Sequence, residues 1–267
     1  MTKLRDLIVA VKGAGEMGSA VAWRLFMANF KNILLLETEH PLAVRREVSF
    51  CEAVHEGQKQ VEDVTAALAA NAAEAAKCWG KNTLAVLVDP GWLALSTMRP
   101  NVLIDAILAK RNLGTRMAEA ELVIGLGPGF HAGKDVHMVV ETNRGHNLGR
   151  IITDGCAAEN TGIPGPIGGF AAERVLRAPA DGRFQPKLNI GDSVRKDQVV
   201  GSVAGNAVRA GIDGVLRGLI RPHIEVTQGL KIGDIDPRGD AGYCYTISDK
   251  ARAIGGSVLE AIMRVYN

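Results

Sequence analysis

Gly13, Gly15 and Gly18 follow the apolar run Leu7-Ile8-Val9-Ala10-Val11 at the spacing G-x-G-x-x-G. That spacing suits the phosphates of a nucleotide. The first glycine permits a tight turn, the second lets a pyrophosphate approach the backbone, and the third lets the next helix pack on the strand. The N–H groups at the start of that helix would face an anion. Glu37 closes a second apolar run, Ile33-Leu34-Leu35-Leu36. It lies about 20 residues past the glycines, where a ribose-binding carboxylate belongs. The plain alternative is the same strand, turn and helix without a nucleotide.

Other chemistry-bearing residues stand further along. Arg45 and Arg46 follow Pro41 and would hold an anion, or would simply form a solvated basic turn. Cys51 and His55 are four residues apart and would share a helix face, either as a thiolate–imidazole pair or as a buried cysteine beside a surface histidine. Asp89 ends the strand-like run Thr83 to Val88, at the end of a sheet where ligands bind, or else it caps the turn at Pro90. Gly127 and Gly129 form a second glycine loop after Leu122 to Leu126 and would open onto the same crevice as the first. Asn143, Arg144, His146 and Asn147 share a polar turn. There an arginine would grip an anion bidentately and a histidine would relay a proton near neutral pH, unless the turn is an ordinary hairpin tip. Arg144, His146 and Asp89 are the catalytic candidates. The candidates for binding a cofactor are Gly13, Gly15, Gly18, Glu37, Arg45, Arg46, Gly127, Gly129, Asn143, Arg144, His146 and Asn147.

These residues need elements to position them. Val21, Leu25 and Phe26 fall on one helical face after the glycine turn. Alanine-rich Thr65 to Trp79 and the segment Asn101 to Lys110 read as helices, and Val136 to Glu141 reads as a strand. Ser248 caps a last helix that runs to about Tyr266. The expected fold is α/β, a Rossmann-like doubly wound parallel sheet. Beyond the glycine- and proline-rich segment Asn160 to Gly169, Arg177-Ala178-Pro179-Ala180-Asp181-Gly182 returns 32 residues later as Arg209-Ala210-Gly211-Ile212-Asp213-Gly214. Short strands between Asp-Gly, Gly-Asp and Gln-Gly turns point to two interlocked halves, similar to a biotinyl/lipoyl-type barrel-sandwich. The hairpin at Gly205 to Val208 lacks the lysine such carriers modify, so no biotin or lipoyl arm is expected. The expected domains are 1–168 with 246–267, and 169–245.

Composition removes several function classes. A net charge of +2 and 4% aromatic residues speak against nucleic acid as a partner. No run reaches the length of a membrane span, and no secretory leader is recognisable at the start. The four cysteines have no C-x-x-C spacing, so no metal site is expected. A cytoplasmic, reducing setting is the expectation.

Five blocks together carry a family resemblance: Val11 to Gly15, Pro41 to Arg46, Gly125 to Phe130, Glu141 to Arg150 and Lys231 to Gly239. They resemble YqeB-type proteins, accessory proteins of the selenium-dependent molybdenum hydroxylase system. The first domain is also similar to the Rossmann part of XdhC-type maturation factors. The resemblance implies maturation of a molybdenum hydroxylase, with the apo-enzyme or cofactor-handling proteins as partners. The implied ligand is NAD, another nucleotide or the molybdopterin cofactor, and a homo-oligomer is compatible. The alternatives are an NAD(P)-dependent oxidoreductase and a non-enzymatic scaffold that docks the hydroxylase. The sequence does not decide whether the protein is an enzyme.

Overall fold

The computed structural model describes residues 3–162 and 164–267. Ile163, inside the proline-rich boundary segment, lies outside the described residues. The chain divides into two compact units. The first comprises Met1–Pro41, Ser49–Asn160 and Ile247–Asn267, and the second comprises Leu42–Val48 and Thr161–Thr246.

The first unit is built on β1 (Ile8–Lys12), α1 (Glu16–Met27), β2 (Asn32–Glu37), α2 (Ala53–Glu56), β3 (Gln58–Val61), β4 (Val64–Ala69), α3 (Ala72–Gly80), β5 (Leu84–Val88), α4 (Ala94–Met98), β6 (Val102–Asp105), β7 (Leu122–Leu126), β8 (His131–Ala132), β9 (Met138–Val140), β10 (Ile151–Ile152) and β11 (Gly155–Cys156). It closes with α5 (Asp249–Tyr266). Nine of these strands form one sheet in the order β10-β9-β7-β6-β1-β2-β5-β4-β3. The central strands β1, β2, β5 and β6 are almost wholly buried apolar runs, as expected for strands covered on both faces.

The sheet is mixed, and this corrects the expected doubly wound parallel layout. Edge strands β3 and β10 run antiparallel to their neighbours. The segment from β6 to β7 holds only a short 3-10 turn, Met117–Glu119, and β8 intervenes between β7 and β9. Neither connection has the α-helix that a doubly wound sheet places there. The expected helix over Asn101 to Lys110 is instead strand β6 and an irregular loop, and the alanine-rich helix begins only at Ala72, after β4.

Helices α1 and α5 pack side by side. Ser248, the cap of α5, donates to Glu16 Oε1 at 3.0 Å. Further along, a Cβ on Gly255 would lie 3.1 Å from the Ala20 carbonyl oxygen. The helices therefore run parallel, with their N-termini together.

The second unit contains β12 (Val175–Arg177), β13 (Gly182–Pro186), β14 (Ser193–Val194), β15 (Val199–Val203), β16 (Asn206–Arg209), β17 (Gly214–Leu219), β18 (Glu225–Val226) and β19 (Lys231–Asp236). They form two antiparallel sheets of four, β12-β19-β17-β14 and β16-β15-β13-β18. A shift of 32 residues carries β14 onto β18 and exchanges the two sheets strand for strand. The ladders slip at Leu176/Arg177, Val199/Gly201 and Leu216/Gly218, which curls each sheet. Two curled antiparallel sheets replace the barrel-sandwich expected from the turn pattern.

Candidate nucleotide site

The three glycines of the first turn have separate tasks. Gly13 has φ +87°, a conformation open to glycine, and a Cβ there would lie 3.2 Å from Ile107 Cα. A Cβ on Gly18 would lie 2.0 Å from the Gly13 carbonyl oxygen, so this residue sets the closeness of α1 to the turn. At Gly15 the same construction meets nothing within 4 Å. Gly15 is the N-cap of α1, in extended conformation. Two glycines are thus required by packing, and the third presents open backbone at a helix start, where N–H groups lack intrahelical partners.

Glu37 stands at the end of β2, but it braces the turn. Its Oε1 accepts the Ala14 N–H at 2.7 Å and its Oε2 accepts the Thr38 N–H at 3.0 Å. Burial raises its pKa, and these two amides oppose the rise.

Beside the turn lies a buried charged cluster that sequence reading missed. Lys12, the last residue of β1, is 0% exposed. Its Nζ donates to Thr115 Oγ1 at 2.8 Å and to both Glu119 carboxylate oxygens at 3.0 Å, and lies 3.9 Å from the centre of the Trp92 ring. The Thr115 hydroxyl donates in turn to Asp105 Oδ2 at 2.7 Å. Burial lowers the Lys12 pKa against the pull of Glu119, and burial raises that of Asp105 against its hydrogen bond from Thr115. The available signal was a lysine that interrupts an apolar strand directly before Gly13. This cluster ties the β6–β7 loop to the sheet at the glycine turn.

Other candidates resolve as structural. Asp89 accepts the Leu93 N–H at 3.0 Å and the Ala94 N–H at 2.7 Å, so it caps the turn that enters α4. Arg45 donates to the carbonyls of Tyr243 at 2.8 Å and Thr246 at 3.0 Å, and Arg46 donates to that of Leu219 at 2.7 Å. Both sets of contacts lie within the second unit, Arg46 reaching the end of β17. A Cβ on Gly127 would lie 2.4 Å from Thr142 Oγ1, and one on Gly129 would lie 2.7 Å from the Arg111 backbone. These two glycines permit close packing of loops. Cys51 is buried, and the His55 ring nitrogen Nε2 lies 3.2 Å from the Pro41 carbonyl.

The polar turn after β9 is a hairpin tip, since Ile151 pairs with Val140. Buried Glu141 organises it, accepting the N–H groups of Asn143 and Ala158, each at 2.7 Å. Arg144 grips the Asp249 carboxylate bidentately at 2.9 and 3.0 Å. Asn143, His146 and Asn147 are exposed. Asn147 and Glu141 also line a cleft of about 490 Å³ with Arg150, Thr153, Asp154 and Cys156. Among the described residues, no three His, Cys, Asp or Glu side chains gather as a metal site. No helix among them is long and apolar enough to cross a membrane.

No family model matches the chain. The uncharacterized protein YqeB of Escherichia coli (strain K12) is 48% identical over 260 residues, which make up 97% of this chain and 48% of that protein. The chain thus spans about half the length of the curated relative it matches. Three solved structures give weak likenesses. A succinylglutamate desuccinylase/aspartoacylase from Rhodobacter sphaeroides has 15% identity and a TM-score of 0.25, over 55% of this chain and 61% of that one. An aspartoacylase family protein from Mesorhizobium loti has 12% identity and a TM-score of 0.26, over 79% and 58%. The product-bound ectoine utilization protein EutE (DoeB) from Ruegeria pomeroyi has 10% identity and a TM-score of 0.26, over 86% and 85%.

These matches are aspartoacylase-type proteins where hydroxylase maturation factors were expected. The expected role in molybdenum hydroxylase maturation is corrected on that finding. Its selenium and molybdenum-cofactor associations fall with it, as do the oxidoreductase and hydroxylase-scaffold alternatives. Likeness at these scores transfers no activity to this chain.

Proposed function

We propose that the first unit binds a nucleotide, with a phosphate on the backbone of the Gly13 to Gly18 turn. The observation that carries this reading is the contrast among the glycines. Gly13 and Gly18 are fixed by packing, while Gly15 faces open space at the start of a helix of 12 residues. An anion there would meet unpaired helix N–H groups and the positive end of the helix dipole. Glu37 supports the site by holding the turn in shape through the Ala14 amide. The reading is one of binding, and no side chain is assigned a catalytic role.

The test is equilibrium titration of the protein with AMP, GMP, CMP, UMP and NAD, in parallel with Gly15→Val. A β-branched side chain at position 15 would fill the space a phosphate needs. Binding of at least one of these nucleotides by the parent, lost in a folded Gly15→Val, is expected. Equal affinity in parent and variant would remove the turn from the site. We further propose a cytoplasmic setting, in keeping with Cys78, Cys156 and Cys244 standing as thiols.

A further inference from the structure

The chain leaves β10 at Ile152, turns at Thr153 and Asp154, and enters β11, which pairs antiparallel with β8. Gly155 lies opposite Ala132, and Cys156 lies opposite His131. Directly opposed residues share a face of the ladder, with Cβ atoms about 4.5–5.5 Å apart. Ala132 is 0% exposed, so its face is turned inward. The other face carries the exposed Cys156 thiol beside the half-buried His131 imidazole.

The neutral His131 ring has one tautomer open to it. Its Nδ1 lies 2.8 Å from the Ala132 carbonyl oxygen, which can only accept. Nδ1 therefore carries the proton, and Nε2 keeps a lone pair. The two side chains are not hydrogen-bonded to each other, a looseness common before a ligand is bound. Rotation of the exposed Cys156 side chain would close the gap.

Cys156 also lines the cleft of about 490 Å³, a size that suits a small molecule. Asn147, Arg150, Thr153 and Asp154 line it as well. Among the described residues, no side chain or backbone group pairs with the side chains of these four. The Arg150 guanidinium suits a carboxylate, and the Asp154 carboxylate suits an ammonium.

We propose that Cys156 is a thiol–disulfide exchange site, with His131 as its base, for a small disulfide that carries carboxylate and ammonium groups. Nε2 takes the thiol proton, and the thiolate attacks one sulfur of the disulfide. A new S–S bond forms at Cys156 as the old one breaks, and the other half departs as a thiolate that recovers the proton from the imidazolium. The disulfide is itself the oxidant. Its leaving group needs no oxyanion hole, so the residues present suffice. This reading stands apart from the glycine turn and needs no nucleotide.

The experiment exposes the parent, His131→Gln and Arg150→Gln to oxidised glutathione and, separately, to the uncharged hydroxyethyl disulfide. Peptide mass mapping follows the mixed disulfide at Cys156. Rates are referred to those of the same cysteine in the urea-unfolded chain, which removes the intrinsic difference between the reagents. On that scale the folded parent should prefer oxidised glutathione at least about fivefold. His131→Gln should slow both reactions at least about tenfold at neutral pH. Arg150→Gln should remove the preference and leave the uncharged reaction within about twofold of the parent. Absence of any preference in the folded parent would overturn the proposal, and so would a His131→Gln that melts like the parent and reacts at the parent's rate.

Discussion

In the first unit, Lys12, Glu37, Asp105 and Lys250 are all pushed toward their neutral forms, and burial is the leading cause in each case. The second unit buries charge as deeply but holds it ionised. Asp234 accepts from Arg174 and, at 2.5 Å, from Arg217, while Asp236 accepts from Arg217 at 3.1 Å and from Arg238 at 2.7 Å. Burial opposes ionisation of both acids. Lys231, Arg217 and Arg174 outweigh it at Asp234, and Arg238 and Arg217 outweigh it at Asp236, so both carboxyls lie below the ordinary carboxylate range. Compensated charge is what a buried structural network needs. Incompletely compensated charge, gathered at one end of a sheet, is what a ligand site tends to leave behind.

The comparison breaks first at Asp234. Asp234→Asn removes the shared acceptor of two buried guanidiniums and should cost about 3–5 kcal/mol, as other broken buried pairs do. Urea denaturation, with amide exchange followed in residues 161–246, reads the loss. A cost under about 1 kcal/mol would mean that the network is not what braces the sheet of β12, β19 and β17.

The matching change in the first unit should be milder. Lys12→Met keeps the length of the side chain and its contact with Trp92, and removes a charge that burial already disfavours. Glu119, with its side chain 16% exposed, keeps access to water once the lysine is gone. The expected cost is about 1–2 kcal/mol, from lost charge-assisted hydrogen bonds. A cost equal to that of Asp234→Asn would erase the contrast between the units.

Acid sharpens the same contrast with opposite signs. Asp234 and Asp236 have depressed folded pKa values, so their contribution is present above the unfolded carboxylate pKa of about 4 and is lost as pH falls through the folded values. Glu37 and Asp105 have raised values, so their contribution is present below about pH 4 and is lost as pH rises through the folded values. Between about pH 6 and pH 3, exchange protection of β17 and β19 should therefore fall relative to β1 and β2. Protection that falls equally in both units would show that these groups do not set the acid response.

Much of this arrangement was legible in the residues. The β1 run, the glycine turn, Glu37 at the end of β2, the Ser248 cap and the 32-residue repeat all carry local signals, and the structure shows an element at each. The β6 strand was hidden because its run Val102-Leu103-Ile104-Asp105 is only four residues long and begins beside a good helix cap, Asn101. β4 was hidden by its alanines, which favour helix unless a neighbouring strand claims them. The cap at Asp89 was one of the two readings its place before Pro90 allowed, whereas the structural tasks of Gly127 and Gly129 were unreadable, because each depends on which segment folds against it.

Gly15 tests the central claim most directly. The parent and Gly15→Val are compared by thermal melting and by titration with the nucleotide panel on the same preparations. With no atom within 4 Å of the added Cβ and an extended backbone, the variant should lose at most about 1 kcal/mol, the scale of a helix-cap change. Its affinity for the nucleotide that the parent binds should fall at least about tenfold. A variant that melts like the parent and binds that nucleotide equally well would contradict the account, because open backbone at Gly15 would then have no ligand to receive.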